Sequence, residues 1–186
     1  MPRQLTTSPC PLSPSVVSVC FNLGPWIVTS QPQYNALATQ NPYPAIAGAG
    51  IRSVLSVRDP AEASQPMNPF DATEAQQCVL NNVSYTNVPL AHFGMPPGQA
   101  QSQSLAQPLF NLQAYNAASV INAATANYPW HTPILIHCSS GDRASAAFAV
   151  FLIAYDGWTN NDAANFAHNN LALASFLPFV QNYSKP

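Results

Sequence analysis

Pro133-Ile134-Leu135-Ile136-His137-Cys138-Ser139-Ser140-Gly141-Asp142-Arg143-Ala144-Ser145 is the stretch whose reading decides the fold. Pro133 to Ile136 is a short apolar run and predicts a buried strand. A small polar loop follows, opening on a cysteine and closing on an arginine. Ala146-Ala147-Phe148-Ala149-Val150-Phe151-Leu152-Ile153-Ala154 is too long and too alanine-rich for a strand, and predicts a buried helix. A strand, a tight loop and a helix N-terminus form an anion site: loop N–H groups point inward and the helix dipole adds partial positive charge. The thiolate of Cys138 is one natural occupant, favoured by a helix N-terminus and a cationic neighbour. An oxyanion beside it is the other, matched by the planar fork of Arg143.

A lone cysteine at the end of a buried strand is ordinarily a small core residue. His-Cys-x-x-Gly-x-Arg between strand and helix is different, because buried arginine is rare without a partner and this chain has only five Lys and Arg. A nucleophilic sulfur beside an oxyanion cradle points to chemistry on phosphorus or sulfur through a covalent cysteine intermediate.

Working outward, 186 residues suffice for one domain with a proper core. Only 6% of residues are charged, against about 25% in ordinary soluble proteins. A net charge of −2 leaves neither a nucleic-acid footprint nor a basic membrane-binding face. Asn, Gln, Ser and Thr supply the solubility. Such a surface suits a periplasmic, secreted or acid-exposed protein better than a cytosolic one. Cys10, Cys20, Cys78 and Cys138 form no Cys-x-x-Cys motif, and the four histidines fall at no ligand spacing, so no metal or cofactor is expected. With Cys138 free, one disulfide among Cys10, Cys20 and Cys78 leaves one thiol over. No run approaches the ~20 apolar residues of a membrane span, and Val16 to Phe21 is too short for a signal-peptide core.

Residues 1–23 are rich in Pro, Ser and Thr and read as an irregular arm laid over the domain or left mobile. Residues 24–186 read as one α/β domain. Strands are expected at Trp26 to Thr29, Gly50 to Arg58, Val83 to Leu90 and Pro133 to Ile136. Helices are expected at Tyr34 to Thr39, at Asp71 through Leu80 behind an Asp71–Glu74 capping box, and at Gln107 to Ala126. Two more are expected after the central helix, at Asn161 to Asn169 and Leu171 to Asn182. Such alternation predicts a mostly parallel sheet of about four to five strands flanked by helices. Ligands bind beyond the carboxyl ends of such strands, where Cys138, Asp59 and the loop after Leu90 all lie.

The sequence resembles the protein tyrosine phosphatase superfamily, whose members carry His-Cys, five residues, Arg, then Ser or Thr. Here four residues separate Cys138 from Arg143, a spacing similar to the bacterial beta-lactamase-hydrolase-like phosphatases, a dual-specificity-phosphatase-like group. Val28-Thr29-Ser30-Gln31-Pro32 looks like that family's Ser-Gly-Gln-Pro entry. Gly50 to Arg58 is similar to its Gly-(aromatic)-x-x-Val-Ile-Asn-Leu-Arg strand, and Glu74-Ala75 to Val88-Pro89 to its Glu-Ala…Tyr-x-x-(aliphatic)-Pro segment. The resemblance implies Cys138 as nucleophile, with Arg143 and the amides of Ser139, Ser140, Gly141 and Asp142 binding phosphoryl oxygens. His137 would help hold the cysteine as thiolate.

Two departures stand out. The Ser or Thr that helps the thiolate leave is replaced by Ala144, with Ser145 one step later. The Asp expected after the third-strand proline is absent, since the chain reads Pro89-Leu90-Ala91-His92. Substitutes for that acid are few. Asp71 is best explained as a helix cap, and Asp156 and Asp162 as turn or cap residues. Asp142 as an anion in the loop would repel phosphate, so it is expected to point outward. Asp59, which with Glu62 could equally start a helix, and His92, an acid–base group near neutrality, remain the candidates.

Three functions compete. The first is hydrolysis of aryl- or tyrosine-type phosphomonoesters through a cysteinyl-phosphate, with a phosphorylated substrate as the partner. The second is a rhodanese-type sulfurtransferase, which shares the Cys-x-x-Gly-x-Arg spacing, carries a persulfide and needs no general acid. The third is a non-catalytic anion- or phosphoprotein-binding module, disfavoured because such a pocket needs no thiolate.

Overall fold

The computed structural model describes residues 2–33, 41–59, 62, 71–91, 100–126 and 132–186. Five strands, β1 (Cys20–Asn22), β2 (Trp26–Thr29), β3 (Ser53–Ser56), β4 (Ser84–Asn87) and β5 (Ile134–His137), form one sheet in the order β1-β2-β5-β3-β4. β5 pairs in parallel with β2 and β3, β3 pairs in parallel with β4, and only β1 runs antiparallel, against β2. β2 and β5 are buried along their whole length, as continuous apolar runs in the middle of a parallel sheet should be. β4, mostly exposed, closes one edge. The expected mostly parallel α/β architecture is the one observed, with the antiparallel β1 making the sheet mixed.

Among the described residues, six helices cover the sheet: α1 (Tyr43–Gly48), α2 (Asp71–Leu80), α3 (Ala100–Thr125), α4 (Asp142–Asp156), α5 (Asn160–Asn170) and α6 (Leu177–Gln181). Strand alternation divides the core. Ile134, Ile136 and Cys138 face Phe110, Phe148 and the α3–α6 layer, while Leu135 faces Tyr43, Ile46, Cys78 and the α1–α2 layer. α4 is the central helix. Every residue from Arg143 to Leu152 is buried, and α3 and α5 flank it.

Several boundaries differ from expectation. The expected helix at 34–39 lies outside the described residues, and α1 begins further on, where Pro42-Tyr43-Pro44 supplies prolines suited to a helix start. The third expected strand is shorter: β4 ends at Asn87, although the Val88 and Leu90 N–H groups still donate to the Ser56 and Val57 carbonyls at 3.0 and 3.1 Å. Residues 1–23 are not wholly irregular. Cys20–Asn22 joins the sheet, Ser8 bridges Asn22, Cys10 is disulfide-bonded to Cys20, and Leu12, Val16 and Val17 are buried. Three residues are too few to show a strand period, which is why the sequence reads as coil there.

Phe148 packs between Trp26 and Phe151, with ring centroids 5.7 and 5.8 Å away, and is fully buried. Phe148→Ala is expected to cost about 3–5 kcal/mol in urea unfolding. A loss below about 1 kcal/mol would mean that the α4–sheet contact is not the main packing surface.

Candidate active site

Cys138 follows β5 directly, so the central strand delivers its sulfur to the carboxyl edge of the sheet. The chain then reverses through Ser139 and Ser140 and enters α4 at Gly141. Gly141 has φ +97°, a left-handed backbone that side chains disfavour, and an added Cβ would sit 3.1 Å from Ala172 Cβ. That backbone turn aims the Gly141 N–H at Cys138 Sγ, 3.1 Å away. The first amides of α4, Asp142 and Arg143 among them, have no acceptor within the helix and open on the same loop.

Arg143 folds back over that loop from the first turn of α4. It is 2% exposed, donates to Ser139 Oγ at 3.3 Å and to the Leu90 carbonyl at 3.2 Å, and makes a two-pronged ion pair with Glu62. Burial works against its charge, but Glu62 and the Cys138 sulfur outweigh that and raise its affinity for the proton. Burial also works to raise the Glu62 value. The Arg143 bonds, the Arg143 charge, the Asp59 N–H and the Arg58 charge together hold it below the ordinary carboxylate range. Arg58, buried at the end of β3, lies 3.6 Å from Glu62.

His137 points to the opposite face of the sheet from Cys138, as alternation requires. Its Nε2 lies 2.8 Å from Glu74 Oε1, and its Nδ1 lies 3.4 Å from the Cys138 carbonyl. Tyr43 donates to the same Glu74 oxygen at 2.6 Å. Burial pushes the Glu74 value up. The charge and proximity of His137 and the hydroxyls of Tyr43 and Tyr85 outweigh it, leaving the group below the ordinary 4.5. Glu74 therefore does not close a capping box as expected. Its carboxylate is buried beneath the cysteine loop.

The remaining candidates fall as follows. Asp142 points outward as expected, its carboxylate accepting from the N–H groups of Ala174 and Ser175 at 2.8 and 2.9 Å. Ser145 Oγ accepts from the Ala172 N–H at 3.1 Å, so its hydroxyl holds the α5–α6 connection rather than serving the sulfur. Ser139 and Ser140 form the exposed lip of the loop. Asp59 follows β3 on the same rim, its N–H and carbonyl engaged by Glu62 Oε1 and the Glu62 N–H at 3.1 and 2.9 Å. The helix-start reading of Asp59 and Glu62 fits that pair of bonds. His92 lies outside the described residues, two positions beyond Leu90. Cys78 is buried, and burial together with Glu74 pushes its thiol up to about 12. Among the described residues no group of three or more His, Cys, Asp or Glu could hold a metal ion, and no helix is long and apolar enough to cross a membrane.

Sequence reasoning missed the use of the two glutamates, the only ones in the chain. A signal was available. So few charges cannot leave a buried His137 and Arg143 uncompensated, and acids were scarce enough to assign.

No protein-family model and no curated protein matches the chain. Solved structures do. Kinase associated phosphatase, carrying a serine in place of its catalytic-site cysteine, is 16% identical with TM-score 0.59 over 96% of this chain and 91% of that one. The catalytic core of the PP-IP phosphatase SIW14 from S. cerevisiae, bound to citrate, is 15% identical with TM-score 0.53, covering 99% and 88%. TpbA from P. aeruginosa is 15% identical with TM-score 0.53, covering 92% and 89%. The fold is that of the tyrosine and dual-specificity-like phosphatases.

Because the folded-state Glu74 value is depressed, its stabilisation is present above 4.5 and is lost as pH falls through the folded value. Glu74→Ala is expected to cost about 1–3 kcal/mol at neutral pH by leaving the buried His137 ring and the Tyr43 hydroxyl without their acceptor. Glu74→Gln should flatten the acid limb of a stability–pH curve measured by urea unfolding. Identical acid limbs for Glu74→Gln and the unaltered protein would refute the pairing.

Proposed function

We propose that the protein is a cysteine-dependent phosphomonoesterase of aryl- or tyrosine-type substrates. One observation carries the reading: Cys138 Sγ sits at the head of α4 under the Gly141 N–H, with Arg143 anchored over the same loop. In the first step the thiolate attacks phosphorus in line, an S–P bond forms, and the P–O bond to the leaving group breaks. The loop amides of Ser139 to Arg143 and the Arg143 guanidinium bind the three equatorial oxygens, where charge is spread. Water then attacks phosphorus, the S–P bond breaks, and inorganic phosphate leaves as Cys138 returns to thiolate. His137, held by Glu74, supports the cysteine from beneath.

Proton delivery to the leaving oxygen is assigned to His92 or Asp59, one following β4 in the chain and the other following β3. Phenolic leaving groups need that proton least, which supports the aryl class. Ser145, its hydroxyl engaged with Ala172, is given a supporting role in holding the loop. The Cys10–Cys20 disulfide and the low charge support an oxidising setting, the periplasm or the exterior.

The test is hydrolysis of p-nitrophenyl phosphate alongside cyanide-dependent turnover of thiosulfate on one preparation. Phosphate release should vanish in Cys138→Ser and fall roughly 100- to 1,000-fold in Arg143→Lys, as when an oxyanion donor is lost. Thiocyanate formation without phosphate release would replace the proposal by sulfur transfer, the reading the four-residue spacing equally allows. Turnover of neither would leave an anion-binding module. If His92 or Asp59 is the acid, the loss in His92→Ala or Asp59→Asn should grow as the leaving group becomes more basic. A constant loss across leaving groups would remove that residue from the role.

A further inference from the structure

We propose that the disulfide-closed amino-terminal arm is a positioning element for the cysteine loop, acting through Val19 and Ser30. The proposal rests on the reading of the Cys138 loop as an oxyanion cradle. The Cys10–Cys20 disulfide closes the segment that contains Leu12, Val16 and Val17, and these three side chains are buried beside Ile27, Tyr43 and Ile46. The end of that segment runs along the residues that follow β2. Val19 O accepts from Ser30 N–H at 3.0 Å and Val16 O from Gln33 N–H. The Ser30 hydroxyl, 1% exposed, accepts from Ser18 N–H at 2.9 Å, Val19 N–H at 3.0 Å and Ser18 Oγ–H at 2.7 Å. A serine so placed is the fastener between arm and sheet.

The fastened edge touches the cysteine loop at two points. Gln31 N–H donates to the carbonyl of Ser139, the residue after the nucleophile, at 3.2 Å. Val19 Cγ1 and Ser30 N stand 3.6 and 3.8 Å from where a Gly141 Cβ would lie, and so wall the left-handed residue whose N–H holds Cys138 Sγ. The other flank of the loop is gripped by the α5–α6 connection through Asp142 and Ser145. Ser139 and Ser140, the lip between the two flanks, are exposed and depend on both walls for their shape. A loop that must present several N–H groups to one oxyanion loses binding when one wall yields.

The experiment compares the unaltered chain with Cys10→Ser/Cys20→Ser and, as an independent cut at the fastener, Ser30→Ala. Thermal melting, orthovanadate binding by titration calorimetry and p-nitrophenyl phosphate kinetics are measured well below the melt. Both variants are expected to melt cooperatively and to bind orthovanadate roughly 10- to 100-fold more weakly, the range that small misplacements of a binding group produce. The loss should be shared by kcat and KM where turnover is seen. Cooperative melting with unchanged vanadate affinity in both variants would reduce the arm to a stabilising strap and overturn the proposal, as would a failure of the unaltered chain to bind vanadate. Vanadate binding by an unaltered chain that hydrolyses no phosphate ester would overturn the phosphatase reading alone, since positioning is read from binding.

Discussion

Pairing of the few buried polar and charged side chains around one cysteine loop is the constraint on which the rest of this molecule depends. Arg143 and His137 flank one cysteine loop, and each is almost wholly removed from water. An unpartnered cation in such a place costs several kcal/mol. The chain holds two glutamates: Glu62 pairs with Arg143 and with the equally buried Arg58, and Glu74 faces the His137 ring. Glu74 comes up from α2 on one face of the sheet, and Glu62 from the connection after β3 at its carboxyl edge. The cysteine loop is therefore tied to both.

Sheet topology makes the rest of the assembly possible. β5 is central and parallel to both neighbours, so the residues after β2, β3 and β5 emerge on one rim, joined there by the loop after β4. Each contributes one group: Gln31 N–H, the Arg58–Glu62 pair, the Leu90 carbonyl and Cys138 itself. Gly141 converts that convergence into a site, because its left-handed backbone lets the strand turn into α4 while one N–H reaches the sulfur.

The parts legible in the sequence were those with short-range signals. The apolar run before His137 and the alanine-rich run after Arg143 specify strand and helix by composition alone, and the cysteine loop between them is therefore located to the residue. The outward orientation of Asp142 followed from electrostatics. Long-range partnerships were not legible. Asp71 and Glu74 have the spacing of a capping box, and only the placement of α2 beneath β5 decides that the Glu74 carboxylate serves His137. Nothing in the spacing of Ser145 from Arg143 tells that its hydroxyl meets the Ala172 N–H. The arm, with no period to detect, is revealed as part of the sheet only by a disulfide and a three-residue strand.

Structural likeness at such low identity speaks for the fold, while the chemistry stands on the sulfur and its surroundings. The most direct measurement is rapid acid quench during turnover of a 32P-labelled aryl phosphate, followed by peptide mapping. The account predicts label on the peptide containing Cys138, chasing into inorganic phosphate when unlabelled substrate is added. Steady hydrolysis with no label on Cys138 at any quench time would contradict it.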